Sequence, residues 1–339
     1  MHYSKSSLSA IAQAAVLALM AFGGGGGGSE AAPGGTPPAA NTSRSGTMVY
    51  SYISELLAVD MSSGKTRLLA KLSALGSNRE FAGASVGPAG EFAMSQNTAT
   101  PLSNTGWIVI LKPDGSEERS LSLKYMFNGR PVISSDGSQI AFSASFYNSN
   151  TLQTNKFTQV VSRTDGKALF FYPNYGYPLW MPDGQLLVNG MDGLYIAEAK
   201  ISGKVVLIPN SQNFNDYALS PDGKKIAFVR STAAGVPRHV YIMNIDGSST
   251  RQVTASKTSE ETSVRFSPDG NSLMVTTSGC IAVFDSYPYS IGSVDNDLIH
   301  VIPAGSSLLD ILETRNLSAT ALQRENGLGR CTAGTLSWC

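Results

Sequence analysis

The chain has 339 residues, 42% of them hydrophobic, and its 25 Lys and Arg balance its 25 Asp and Glu. That length holds one large all-β domain or two smaller ones. Charge neutrality without a dense basic run excludes a surface built to track phosphates, so nucleic acid is not an expected partner. The three cysteines, Cys280, Cys331 and Cys339, show no zinc spacing and no C-x-x-C, and an odd number leaves at least one thiol unpaired within a monomer.

Residues 1–23 read as a signal peptide. Lys5 precedes an apolar stretch, Leu8 to Phe22, that is too short for a comfortable membrane span, and Ala21 and Gly23 supply the small residues of a cleavage site. Leu19-Met20-Ala21 resembles the end of a bacterial lipoprotein signal, but Phe22 stands where the lipidated cysteine would be, which speaks against lipid anchoring. The expectation is export to the periplasm or beyond, with no transmembrane segment after cleavage. Residues 24–46 are rich in Gly, Pro, Ala, Ser and Thr. They lack the apolar surface that would offset ordering, and they are expected to be a flexible linker spanning roughly 25 Å.

From Thr47 the chain repeats, and residues 47–339 are expected to form one domain. The clearest unit begins with Tyr217 to Leu219 and the turn Ser220-Pro221-Asp222-Gly223. Pro presets the backbone of such a turn, Asp bonds its own main chain, and Gly takes the left-handed position. Lys225 to Val229, His239 to Ile245 and Arg251 to Thr254 then read as three more short strands, the last two joined by Asp246-Gly247. First turns recur at Gly90, Gly137, Gly184, Gly223 and Gly270, spaced 47, 47, 39 and 47 residues. Second turns recur at Gly64, Gly115, Gly166, Gly203 and Gly247, spaced 51, 51, 37 and 44. Four short strands in each period of 40 to 50 residues, roughly, predict a β-propeller.

Six units can be counted, from Thr47–Ser77 to Ser263–Ile302. The first lacks an opening strand, and Gly334 to Trp338 reads as that missing innermost strand, with Trp338 taking the place that Trp180 has in its own unit. The fold expected is therefore all-β: a six-bladed propeller of four-stranded antiparallel blades, closed by pairing N- and C-terminal strands. Such a closing strand is incompatible with a Cys331–Cys339 disulfide, which would need Ala333-Gly334 to turn. Gly305 to Arg330 fits no repeat and reads as a helix, as a degenerate strand plus loop, or as a further blade.

The repeat resembles the TolB-type propeller repeat, a bacterial relative of the WD-type blade. The resemblance rests on Leu219-Ser220-Pro221-Asp222-Gly223-Lys224-Lys225-Ile226-Ala227-Phe228 and on Phe266-Ser267-Pro268-Asp269-Gly270. Weaker copies lie at Ile133 to Phe142 and Leu179 to Val188. It implies the six-bladed fold over most of Thr47 to Ile302. It leaves activity open, because such blades occur in TolB itself, in serine peptidase propellers and in some lyases. No amino-terminal domain of the TolB kind is expected, since the linker reads as leading directly into blades.

No catalytic set is expected. Of the three histidines, His2 lies in the signal, and His239 and His300 read as partly exposed strand residues. No nucleophile elbow is expected, and the Gly23 to Gly28 run precedes no strand–helix unit that would bind a phosphate. Asp114, Asp136, Asp165, Asp183, Asp222, Asp246 and Asp269 each occupy a D-G turn of the repeat, so turn formation accounts for them better than a metal site. No cofactor is expected.

What remains is the face that carries the blade-to-blade and second-to-third-strand connections. Candidate binding residues there are Arg130, Tyr147, Tyr172, Asn174, Tyr175, Tyr177, Asn215, Asp216 and Arg230, with Tyr172 to Tyr177 the densest cluster. Aromatic and Arg side chains on variable loops are typical binding anchors. The function expected is a non-catalytic exported propeller that binds a protein or peptide of the cell envelope. The alternative is a carbohydrate-binding or carbohydrate-cleaving, lyase-like propeller.

Overall fold

A computed structural model describes residues 46–52, 55–63, 65–71, 79–98, 104–198, 205–233, 235–255, 260–277, 299–306, 308–309, 320–321 and 337–338. The signal peptide, the linker apart from Gly46, the three cysteines and the side chain of Trp338 lie outside the described residues.

Strands are numbered in chain order. Blade 1 contains β1 (Thr47–Tyr52), β2 (Glu55–Asp60) and β3 (Thr66–Lys71). Blade 2 contains β4 (Arg79–Val86), β5 (Phe92–Thr98), β6 (Gly106–Leu111) and β7 (Glu117–Leu123). Blade 3 contains β8 (Met126–Phe127), β9 (Val132–Ile133), β10 (Gln139–Asn148), β11 (Gln153–Ser162) and β12 (Ala168–Pro173). Blade 4 runs through β13 (Gly176–Trp180), β14 (Leu186–Asn189), β15 (Leu194–Ala197) and β16 (Val205–Leu207). Blade 5 runs through β17 (Asp216–Leu219), β18 (Lys225–Arg230), β19 (His239–Asn244) and β20 (Arg251–Gln252). Blade 6 runs through β21 (Glu261–Phe266), β22 (Ser272–Thr277), β23 (Ile299–Pro303) and β24 (Thr320–Ala321). The last strand, β25 (Ser337–Trp338), pairs with β1 and gives blade 1 the order β25-β1-β2-β3. All pairings among named strands are antiparallel, and the six-bladed ring is closed as the sequence predicts.

The core lies in the seams between blades. Val49, Leu56 and Ala58 of blade 1 pack on Ala84, Phe92 and Met94 of blade 2. Ile108 and Ile110 of blade 2 meet Ile140 and Phe142 of blade 3. Leu187 and Leu194 of blade 4 meet Tyr217, Ile226 and Phe228 of blade 5, and Ala227 and Val229 of blade 5 meet Val264 and Val275 of blade 6. Central strands therefore read as nearly continuous apolar runs, buried on both faces. Each fully buried side chain of this size contributes about 1.5–3 kcal/mol, which a lone blade could not collect.

One feature differs from the sequence expectation, and one choice it left open is narrowed. The inner strand of blade 3 is split, β8 and β9 both pairing with β10 on either side of Asn128–Pro131. Gly129 takes φ 127° there. The described part of Gly305 to Arg330 supplies no seventh blade: Thr320–Ala321 is the outer strand of blade 6, and Leu309 bridges to Thr254 of blade 5.

The two ends of the ring differ chemically. One carries the D-G turns, and each of the seven aspartates predicted to shape them accepts the backbone N–H two residues on. Their Ser neighbours add hydroxyl bonds, which hold Asp136 down to about 2 and Asp222 below the usual carboxylate range. That chemistry is used in folding the turns. The other end carries the longer connections, including residues 128–131, 213–215, 231–233 and 235–238.

Candidate binding surface

The nine candidate residues divide into three groups. Tyr172 is a core residue, which corrects its place among the surface anchors. Its ring is 0% exposed in the seam with Val160, Leu186 and Val188, and its hydroxyl donates to the Glu198 carbonyl. Burial, with Glu198 nearby, pushes the phenol up to about 12. Arg230 is also committed to packing, its guanidinium 5.3 Å from the Phe228 ring centroid and 4.8 Å from that of Tyr241. Tyr175 stacks edge-on against Tyr195 at 5.1 Å and Tyr147 is half-buried, its backbone clamped at both polar groups by the Asn104 amide. Asn174 is exposed at φ 67°.

The second group draws on blades 3, 5 and 6. Arg130 follows the break in the inner strand of blade 3, Asp216 opens β17 of blade 5, and Arg265 lies on β21 of blade 6. Arg265 Nη1 is 2.5 Å from Asp216 Oδ2, which also accepts the Val264 N–H at 3.0 Å. The charges of both Arg265 and Asp216 act on Arg130. Tyr217 belongs to the same cluster: its ring is 5% exposed, its hydroxyl donates to the Tyr177 carbonyl at 2.5 Å, and burial raises its pKa strongly, so the phenol stays neutral. Burial and the like charge of Arg265 press Arg130 downward, although a guanidinium remains charged at any physiological pH.

The break in blade 3 delivers Arg130 to this position, as irregularities in a strand often re-aim a side chain. It is stapled from blade 2. Ser95 Oγ donates to the Gly129 carbonyl at 2.6 Å and Ser85 Oγ to that of Pro131 at 2.5 Å. Tyr177 stands beside it at the loop end. Its backbone has φ 52°, costly for a non-glycine residue, and its side chain is 47% exposed next to Gly129.

The third group lines a groove of about 570 Å³ on the loop end of blade 5. It is lined by Asn213 and Asn215, by residues 231–233 and 235–238, and by Glu260 of the segment leading into blade 6. Glu260 Oε2 accepts from Arg238 Nη2 at 2.8 Å and Nε at 3.2 Å, a fork that fixes the groove rim. One residue further along each chain, His239 Nδ1 lies 2.8 Å from Glu261 Oε2. Glu261 is 0% exposed, and burial pushes its carboxyl up to about 7 against the opposing hydrogen bond from His239. His300 is buried on β23, not partly exposed as its sequence position suggests.

Sequence reading missed Arg265, Tyr217, Glu260 and Glu261. Arg265 carried a signal: it occupies the repeat position held by Ala218, Leu179 and Val132 in the preceding units, where a charge has no packing reason. Glu261 carried none, because its partner lies two strands away on another blade.

These features define a six-bladed β-propeller with one face spent on turns and one irregular polar face. No family model matches the chain. It is 35% identical over 83 residues to the Tol-Pal system protein TolB of Francisella tularensis, a match spanning 23% of this chain and only 19% of that one. The structure is similar to TolB from Acinetobacter baumannii, with a TM-score of 0.58 and 18% identity over 86% of this chain and 66% of that one. It is similar also to a structure assigned to TolB from Agrobacterium tumefaciens, at 0.55 and 15% over 87% and 98% of the two chains. At these identities the structural likeness establishes the fold.

Proposed function

We propose that the protein is a non-catalytic, exported propeller that docks a protein or peptide partner of the cell envelope on its loop end. The observation that carries this reading is the groove lined by Asn213, Asn215 and residues 231–233 and 235–238, with the Arg238–Glu260 fork at its rim. Polar amides and one charge pair on rigid blades suit an extended peptide backbone, which needs donors and acceptors more than an apolar pit. The opposite end supports the choice of face, since its aspartates are occupied in their own turns. The stretch of 35% identity to a protein named for the Tol-Pal system supports a protein partner over a sugar.

The test is photo-crosslinking in the cell, with the reactive residue placed at Asn213 in one variant and at Asp246 on the turn end in another. A discrete protein adduct from Asn213 and none from Asp246 is the expected result. Equal labelling at both ends, or capture of glycan with release of sugar products, overturns it.

A further inference from the structure

We propose that the junction of Arg238-His239 with Glu260-Glu261 is a proton-operated latch on the groove, closed while the His239–Glu261 pair holds its proton and loosened once that proton leaves. The latch rests on the reading of the groove as the docking surface and adds a proton control to it. Two consecutive residues of blade 5 meet two consecutive residues at the entry to blade 6. At the rim the Arg238 fork grips Glu260 Oε2, and both residues line the groove. Between the chains the Glu261 N–H donates to the Arg238 carbonyl at 3.0 Å. Behind it, His239 Nδ1 lies 2.8 Å from Glu261 Oε2. One peptide unit on each chain separates the buried pair from the rim pair, so a change at the first is passed directly to the second.

The inner pair is built to respond to protons. Glu261 is 0% exposed, and its Oε1 has no hydrogen-bond partner among the described residues. With one proton between them, imidazole and carboxyl are neutral together, whichever of the two carries it. Without that proton a carboxylate faces a neutral ring in a dry seam, which is costly. His is the side chain whose charge ordinarily changes near neutral pH. Burial pushes the Glu261 carboxyl up to about 7 against the hydrogen bond from His239, so the pair gives up its proton in the same range.

The surroundings direct the response to the rim. Blade 5 brings the Thr254 hydroxyl to Glu261, and that oxygen also accepts the Val240 N–H. Thr277 stands opposite Glu261 on β22. Arg230, opposite His239 on β18, lies over the Phe228 and Tyr241 rings. Arg265, further along β21, holds Asp216 of β17. From blade 1, β25 adds only Ser337 and Trp338. Among the described residues, the cation joined most directly to Glu261 is Arg238, through its own carbonyl. Loss of the proton therefore draws Arg238 away from Glu260 or admits water between the two blade edges. Either response weakens the fork and the bond from Glu261 to Arg238, and so loosens the groove wall.

Hydrogen exchange, read amide by amide in the full chain, tests the latch without a partner. Rates at about pH 6 and about pH 8 are compared after correction for the intrinsic pH dependence of exchange. The reporters are the Glu261 amide, bonded to the Arg238 carbonyl, and the Val240 amide, bonded to Thr254 Oγ1. The references are the Asn244 amide, bonded to the Ser248 carbonyl at the turn end of the same blade, and the Ser134 amide, bonded to the Gln139 carbonyl in blade 3. Each pH unit above the pair's titration is worth a factor of about ten in a proton-linked opening. The reporters of the wild type should therefore exchange about tenfold faster at the higher pH, with the references unchanged, and Glu261→Gln should abolish the difference. Equal corrected rates at the two pH values in the wild type overturn the latch, whether or not Glu261→Gln folds. A rise shared by the references assigns the pair to global stability alone and overturns it too. So does a rise that persists in the folded Gln variant, since the proton then belongs to another group. If the latch fails while the Asn213 adduct still forms, the docking face stands and only its proton control is removed.

Discussion

Met48 and Trp338, from opposite ends of the sequence, are opposite one another in the antiparallel pair of β1 and β25. With Val49 and Ser337 they make blade 1 a four-stranded sheet and bring β25 against β21 of blade 6. Met48 is 2% exposed and Val49 0%. Deleting residues 334–339 leaves the main chain of β1 with unpaired groups in the centre of the ring and uncovers these two side chains. Lost backbone bonds at about 1 kcal/mol each and lost burial together give a destabilisation on the order of 2–4 kcal/mol. The urea midpoint of the truncated protein should fall accordingly with little change in secondary structure content. An unchanged midpoint means that the ring does not depend on this strand.

The fold was legible because its signals are local. Asp222 bonding the Lys224 amide and Gly223 at φ 71° need only four residues in sequence, and the same chemistry repeats at Asp136-Gly137, Asp183-Gly184 and Asp269-Gly270. The site was only half legible. Arg130, Tyr177 and Asp216 were visible as charged or aromatic residues entering inner strands. The bond between Asp216 and Arg265 depends on blade 5 meeting blade 6, which no local pattern encodes. Tyr172 misled for the opposite reason: Leu169-Phe170-Phe171-Tyr172 has no clear alternation, so nothing in it tells the buried Tyr172 from the 45% exposed Phe171.

Tyr172 supplies a direct check of that correction. Tyr172→Phe removes a hydroxyl whose acceptor, the Glu198 carbonyl, stays in place. The expected cost is about 1 kcal/mol, while Tyr172→Ala, which empties a fully buried site, should cost about 3–5 kcal/mol. If Tyr172 acted in binding, the Phe variant would lose affinity at unchanged stability. The melting and binding curves of this one variant therefore distinguish core from anchor.

Gly83 tests the seam that holds Arg130. A Cβ there would lie 2.6 Å from the Gly129 carbonyl carbon and in still closer contact with the Arg130 amide nitrogen. Both are backbone atoms, and the two serine bonds from blade 2 limit their retreat. Gly83→Ala should lose about 1–3 kcal/mol by overpacking. A lower denaturation midpoint is expected, whereas Gly305→Ala, where a Cβ meets open space, should leave the midpoint unchanged.

The pair His239–Glu261 joins blade 5 to blade 6 behind the groove rim, with Nδ1 and Oε2 2.8 Å apart. The Glu261 carboxyl rises from 4.5 to about 7 on folding, chiefly through burial, with the hydrogen bond and charge of His239 opposing. The folded state therefore holds this proton more tightly than the unfolded state. The resulting stabilisation is full below pH 4.5 and is lost as the pH rises through 7. A shift of that size corresponds to on the order of 3 kcal/mol. Glu261→Gln keeps an oxygen acceptor for His239 and carries no charge at any pH. Wild-type stability should accordingly decline between about pH 4.5 and 7 relative to the Gln variant, which should be the more stable protein at pH 8. Urea midpoints of both proteins across this range provide the measurement. Parallel curves would show that Glu261 is already ionised throughout the range, with its charge compensated inside the blade seam.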